Sequence, residues 1–165
     1  MKSFCIWISD NPPNERRQKC IDSILEYFPK TKILTEKDCS EYLKWCKGNL
    51  IGAVCKSDYA RIGIMSDEPC SLYLDTDNML KGDILSGFDL SKPIIGFNGQ
   101  YAISNILYNG ENTKIFSNLK KTYANAPAQC LDQAIANSML VAGAQICKKR
   151  YRHLSIACHN YWRDE

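Results

Sequence analysis

Strand-type and helix-type segments alternate along this 165-residue chain, and this alternation constrains its fold more than any other feature. Residues 3–9 form an apolar, β-forming run that predicts a buried first strand. A helical pattern follows from Asn14, and Pro29 ends it. The alternation continues, with strands predicted at residues 32–35, 72–74 and 93–97 and helices at residues 41–47, 51–64, 113–123 and 131–147. The pattern predicts an α/β fold with helices on the faces of a sheet.

The sequence leaves two segments open and sets the bounds of one helix by single residues. Residues 101–107 suit a strand or a helix, and residues 150–162 suit a strand or a loop. The helix at 41–47 would take Asp38 or Ser40 as its N-cap and end at Gly48. The length of the chain suits one domain, so we predict a single domain over residues 1–165.

The composition excludes several classes of protein. The chain is 45% hydrophobic and 24% charged, which excludes a disordered chain. Its net charge of +3 is too small to indicate nucleic-acid binding by itself. No apolar run reaches about 18 residues, so no membrane span is predicted. Nine cysteines, an odd number, show no C-x-x-C spacing and follow no signal peptide, which predicts reduced, mostly buried thiols and a cytoplasmic protein.

The strand at residues 72–74 runs directly into two carboxylates, Asp75 and Asp77. Successive strand side chains alternate between faces, so both acids are expected on the same side. Such a pair suits Mg²⁺ or Mn²⁺ and favours a ligand that brings its own phosphates. A solvated acidic turn is the simpler alternative.

The predicted fold places Trp7, at the end of the first strand, on the same edge of the sheet as the two acids. In open α/β sheets, ligands bind beyond the carboxyl ends of the strands, and both Trp7 and the two acids fall there. An aromatic face beside a metal-binding pair would suit a nucleoside diphosphate, with the base on the ring and the phosphates on the ion. Plain core packing is the alternative for Trp7.

Two sequence segments resemble the signature of a known enzyme family. Residues 57–62 (SDYARI), residues 72–77 (LYLDTD) and Gly82 resemble the S-D-x-x-R…G-G-x-Y-x-D-x-D signature of DXD-containing retaining glycosyltransferases. This group includes family-32 type sugar transferases and the glucosylating domains of clostridial toxins. Residues 6–8 (IWI) and 158–162 (CHNYW) resemble the family's opening and closing motifs. The resemblance implies a minimal GT-A (Rossmann-like) domain with a mixed sheet.

The resemblance also implies roles for individual residues. Asp77 would bind the metal directly, while Asp75 would bridge metal-bound water and the donor. Asp58 and Arg61 would grip sugar hydroxyls and phosphate, and Trp7 would stack on the donor base. An exposed i, i+3 ion pair is the alternative for Asp58 and Arg61.

Three further residues complete the implied site. Tyr73 counts with the donor-binding residues, although a structural role is the simpler interpretation. His159 would complete the metal site, or serve the acceptor, or do neither. His153 receives no role. One departure stands out: Cys70-Ser71 replaces the family's glycine pair, which questions how closely a donor could approach that backbone.

The function implied is transfer of a sugar from a nucleoside-diphosphate donor, with retention of configuration and a bound Mn²⁺ or Mg²⁺. A UDP-sugar is favoured as the donor and a GDP-sugar is the second choice. The acceptor stays open between a saccharide, a protein and a modified nucleic acid, since basic residues cluster at 148–152. The alternatives are a degenerate nucleotide-sugar-binding protein and another metal-dependent enzyme, such as a nuclease or phosphatase.

Overall fold

The computed structural model of the chain describes residues 1–154, which contain a six-stranded sheet, a separate pair of strands and five helices. The strands are β1 (Lys2–Trp7), β2 (Lys32–Thr35), β3 (Ser71–Leu74), β4 (Asn78–Leu80), β5 (Ile94–Phe97), β6 (Ala102–Tyr108), β7 (Gln145–Cys147) and β8 (Tyr151–His153). The helices are α1 (Glu15–Tyr27), α2 (Glu36–Leu43), α3 (Ala53–Asp67), α4 (Lys114–Tyr123) and α5 (Asp132–Val141). The prediction of a single domain over residues 1–165 stays a prediction.

The main sheet is mixed, with the strand order β2-β1-β3-β6-β5-β7. Strand β1 pairs in parallel with β2 and β3, and β5 pairs in parallel with β7. Strand β6 lies antiparallel to both β3 and β5, so it alone runs against the other five strands. The carboxyl ends of β1, β3, β5 and β7 therefore meet at one edge of the sheet, which we call the carboxyl edge. The predicted α/β fold with a mixed sheet is confirmed.

Hydrophobic clusters cover both faces of this sheet. Leu72 and Leu74 of β3 face the cluster that includes Ile24 and Phe28, at and just beyond helix α1. Tyr73 points the other way, into a cluster with Ile62 of α3 and Phe116 of α4. Burying each such side chain contributes about 1.5–3 kcal/mol, so packing on both faces fixes β3 and the residues that follow it.

Two predicted helices differ from the observed ones. Helix α2 begins at Glu36, five residues before the expected start, because its N-cap is Thr35, which forms a reciprocal capping box with Asp38. It ends at Leu43, before the predicted end at Gly48. Helix α5 ends at Val141, and Gly143 then adopts a left-handed conformation with φ of 78°. The chain leaves α5 there and forms β7, where the sequence pattern predicts continued helix.

Other expectations from the sequence are resolved in the described part of the chain. Residues 102–108 form a strand, and the open segment at 150–162 begins with β8. All eight cysteines within residues 1–154 are free thiols, as predicted, and Cys158 lies outside the described residues. Within the same residues, no helix combines the length and the apolar character needed to cross a bilayer.

Candidate functional site

Asp75 and Asp77 lie in a tight turn where β3 ends and β4 begins. The Asp75 N–H donates to the carbonyl of Asn105 at 2.9 Å, and the Asn78 N–H donates to the carbonyl of Asp75 at 3.1 Å. Thr76 between the acids is buried, whereas the side chains of Asp75 and Asp77 keep 27% and 14% of their surface exposed. The turn therefore presents both carboxylates at the carboxyl edge of the sheet.

His153 joins these two acids, although the sequence analysis gives it no role. Strand β8 pairs antiparallel with β4, which sets His153 opposite Asn78, and the Leu154 N–H donates to the Asp77 carbonyl at 2.9 Å. The Nε2 atom of His153 lies 3.1 Å from Asp77 Oδ1 and 3.7 Å from Asp75 Oδ2. No sequence motif marks this pairing. His159, the histidine predicted for the metal site, lies outside the described residues.

The three side chains fit a divalent cation. One ligand atom from each of Asp75, Asp77 and His153 lies within 4.8 Å of the other two. Asp77 Oδ1 and His153 Nε2 are both buried, and neither makes a well-formed hydrogen bond with residues 1–154 despite their short separation. Buried polar atoms are rarely left unsatisfied, so two of them aimed at one point favour an ion. Carboxylate and imidazole are both common ligands of divalent metals.

The acids also control the protonation of His153. Burial disfavours the charged imidazolium, but its interactions with the nearby carboxylates of Asp75 and Asp77 outweigh this effect and raise the pKa of His153 to about 9. Burial likewise opposes ionisation of Asp77, yet His153 and Arg17 keep the pKa of that carboxyl below its usual value. Without metal, the imidazolium therefore neutralises part of the acid pair near pH 7.

This arrangement predicts a pH-dependent stability of the metal-free protein. Because the pKa of His153 is raised from 6.5 to about 9 on folding, its contribution is fully present below pH 6.5 and is lost as the pH rises through 9. We expect the free energy of unfolding to fall by about 2 kcal/mol over this interval, measured by urea denaturation in a chelating buffer. Metal affinity should rise over the same interval, because binding requires neutral imidazole.

The chain supplies its own control, since its sequence holds only two histidines. The His153→Gln variant should lose this pH dependence, whereas His159→Gln should keep it. If the pH dependence of unfolding survives in His153→Gln and disappears in His159→Gln, the assignment of the titration to His153 is wrong.

Arg17 connects the acid turn to Trp7, and sequence reasoning missed it. Its guanidinium donates to Thr76 Oγ1 at 3.0 Å and lies 3.5 Å from Asp77 Oδ2. The same group lies over the indole of Trp7, 5.5 Å from the ring centroid. Trp7 is half-buried at the end of β1, and its indole N–H donates to the carbonyl of Asn11 at 3.0 Å. Trp7 and the two acids thus share the carboxyl edge, with the guanidinium of Arg17 between them.

Asp58 and Arg61 form a buried ion pair beneath the acids, so the alternative of an exposed pair is wrong. Their side chains are 0% and 6% exposed. Asp58 accepts hydrogen bonds from Arg61 and from the Leu131 N–H, the latter at 2.7 Å. Arg61 also donates to the carbonyl and the hydroxyl of Ser104, both at 2.8 Å, and lies 3.9 Å from Asp75 Oδ1. Direct contact of this pair with a sugar stays a prediction.

Tyr73 links the buried pair to Asp75. Its hydroxyl donates to Asp75, and its ring lies 4.6 Å beneath the Arg61 guanidinium. Burial is the main reason that the pKa of this phenol lies well above its usual value, so it remains a donor at neutral pH. Tyr73 is 1% exposed, which favours a structural role; contact with a donor stays a prediction.

The segment that departs from the glycosyltransferase signature lies at the other end of β3. Cys70 precedes the strand and Ser71 is its first residue, which pairs with Lys2 at the start of β1. Cys70 adopts a left-handed conformation with φ of 52°, which glycine adopts without strain. The backbone there still follows a glycine-type path, at the end of β3 opposite the acids.

The structure is similar to solved structures of glycosyltransferases. The galactosyltransferase LgtC, solved in complex with donor and acceptor sugar analogues, matches with a TM-score of 0.47 and 17% identity, over 89% of this chain and 72% of that one. The apo form of the glycosyltransferase GlyE from Streptococcus pneumoniae TIGR4 matches with a TM-score of 0.45 and 20% identity, over 94% of this chain and 45% of that one. No protein-family model and no curated protein matches the chain. The functional proposal therefore depends on the site residues.

Proposed function

We propose that this chain is a metal-dependent retaining glycosyltransferase of the GT-A type that uses a nucleoside-diphosphate-sugar donor. The observation that carries the proposal is the cluster of Asp75, Asp77 and His153, whose ligand atoms lie within 4.8 Å of one another at the carboxyl edge. The ligand atoms of Asp77 and His153 are also buried and unsatisfied. Asp75 and Asp77 lie within the sequence signature that resembles DXD-containing glycosyltransferases, and His153 joins them from outside it. Trp7 stands at the same edge, as the donor base would require.

The metal would be held by Asp77 and His153, with Asp75 beside them. A bound Mn²⁺ or Mg²⁺ would supply electrostatic stabilisation of the negative charge that develops on the leaving diphosphate. Arg17 provides a second positive charge between Trp7 and Asp77, where the diphosphate of a base stacked on Trp7 would pass. A guanidinium suits phosphate oxygens because it presents several N–H donors in one plane. UDP-sugars remain the favoured donors and GDP-sugars the second choice.

In this proposal Asp58 and Arg61 act mainly as positioning residues. Arg61 approaches Asp75 directly and also lies over Tyr73, whose hydroxyl donates to the same carboxylate. Asp58 anchors Arg61 from the far side. The resulting chain of contacts fixes the orientation of Asp75 relative to Asp77 before any ligand arrives, which reduces the reorganisation that binding requires.

The decisive experiment measures metal-dependent breakdown of nucleotide sugars by the purified chain. UDP-glucose, UDP-galactose and GDP-mannose are incubated with Mn²⁺, with Mg²⁺ or with chelator, and the released sugar is followed by NMR. We expect hydrolysis of at least one donor with metal only, and the anomer released first should have the configuration of the donor. Binding without turnover would support the degenerate alternative, and cleavage of simple phosphate esters or nucleic acid would support a phosphatase or nuclease.

A further inference from the structure

An open cleft of about 350 Å³ adjoins the candidate metal site on the side away from Trp7. Residues 97–99, Lys148 and residues 151–154 line it, so His153 belongs both to the cleft wall and to the acid cluster. This volume suits a small molecule rather than a macromolecular duplex. A ligand in the cleft would lie beside the metal ligands.

Sheet order explains why the cleft lies beyond the proposed donor. Strand β1, which ends at Trp7, and strand β5, which ends at Phe97, lie on opposite sides of β3, with β6 between β3 and β5. Both run parallel to β3, so Trp7, the acids and Phe97 follow one another along the carboxyl edge. A donor whose base rests on Trp7 and whose phosphates reach Asp77 leaves the Phe97 side for the second substrate.

The charge of the cleft indicates what that substrate carries. Lys148 is exposed, and its ammonium lies 4.9 Å from the centroid of the Phe97 ring, at the end of β7. None of the described residues that line the cleft is an acid. The neighbouring Arg150 has a different task, since it donates to the carbonyls of Asp83 and Ser86 at 2.8 and 3.1 Å. Only part of the basic segment at 148–152 therefore faces the cleft.

We propose that this cleft binds the acceptor and that the acceptor is a saccharide bearing an anionic group, a phosphate or a carboxylate, held by Lys148. The identification of the occupant as an acceptor rests on the proposed function. Cation–π contact with Phe97 holds the Lys148 ammonium at the cleft wall, where a charge-assisted hydrogen bond to the anion is strong. The metal site beside His153 is then within reach of a hydroxyl on the same sugar.

Binding can be tested on the metal-free protein without any donor. Titration calorimetry with glucose 6-phosphate, glucuronate and glucose separates a phosphate-bearing, a carboxylate-bearing and a neutral sugar. We expect at least one anionic sugar to bind about tenfold or more tightly than glucose, and Lys148→Met to weaken that binding about tenfold. Inorganic phosphate should bind more weakly than the preferred anionic sugar.

Lys149→Met is the matched control, because Lys149 is an exposed neighbour that lines the adjacent cavity instead of this cleft. It should change the affinity less than twofold. Equal affinity for glucose and both anionic sugars, or equal loss in the two lysine variants, would overturn the inference. If donor hydrolysis nevertheless proceeds, the proposed function stands and only the acceptor inference fails. If the protein hydrolyses no donor but binds the anionic sugar through Lys148, the cleft remains a binding site and the proposed function fails.

Discussion

The Asp77→Asn variant is expected to lose Mn²⁺ binding and to lower donor hydrolysis by about a thousandfold or more. Asparagine keeps the size of the side chain but removes the negative charge that would hold the ion. It also leaves His153 Nε2, which lies 3.1 Å from Asp77 Oδ1, without its nearest anionic neighbour. Metal binding is measured by titration calorimetry, and hydrolysis by initial rates with the best donor from the panel.

Asp10→Asn is the matched control for this variant. Asp10 is an exposed carboxylate shortly after β1, and the same isosteric change there removes a charge without touching the cluster. We expect metal affinity and hydrolysis to stay within twofold of the unmodified protein. If Asp77→Asn also binds Mn²⁺ normally, the ion is held elsewhere and the assignment of the site is wrong.

The Asp58→Asn variant is expected to lower the free energy of unfolding by about 3–5 kcal/mol, because it leaves a buried guanidinium without its main partner. Asp58 has no exposed surface, so solvent cannot replace the lost charge. Asparagine has one amide oxygen, which can still accept the hydrogen bond from Leu131, but its amide group then turns an N–H donor towards Arg61. The variant therefore removes both the negative charge and the acceptor that face Arg61. Urea denaturation followed by circular dichroism measures the change.

Glu41→Gln provides the comparison at the same i, i+3 spacing. Glu41 pairs with Lys44 at the end of α2, but both side chains are about 70% exposed, so the variant should unfold at nearly the same urea concentration. Comparable losses in the two variants would mean that burial does not strengthen the Asp58–Arg61 pair. A small loss in Asp58→Asn alone would mean that Asp75 and Ser104 suffice to stabilise Arg61.

The sequence predicts the strands better than it predicts the contacts between distant segments. The apolar run at 72–74 followed by Asp75 and Asp77 is a local pattern, and the structure places it at a strand end as expected. The prediction of a helix over residues 131–147 is wrong after Val141. A single residue, Gly143, redirects the chain there, although the composition of the whole segment favours helix.

The missed residues of the site share one property. His153 and Arg17 reach Asp77 from 76 and 60 positions away in the sequence, and neither lies in a motif. Their placement depends on the pairing of β8 with β4 and on the packing of α1 against β4, which no local pattern encodes. By contrast, Asp58 and Arg61 are recognisable as a pair from their spacing, but only the fold shows that the pair is buried.

The short pairing of β8 with β4 has a consequence for ligand affinity. Within residues 1–154, three residue pairs, from Asn78 and His153 to Leu80 and Tyr151, join these strands, with one flanking backbone hydrogen bond at each end. Whenever β8 detaches, His153 leaves Asp77, and of the three cluster residues the two acids remain. The affinity of the proposed metal site would then be the affinity of the closed site multiplied by the fraction of molecules in which β8 is docked. Substitutions in β8 that never touch the ion would thus change the metal concentration that the proposed activity requires.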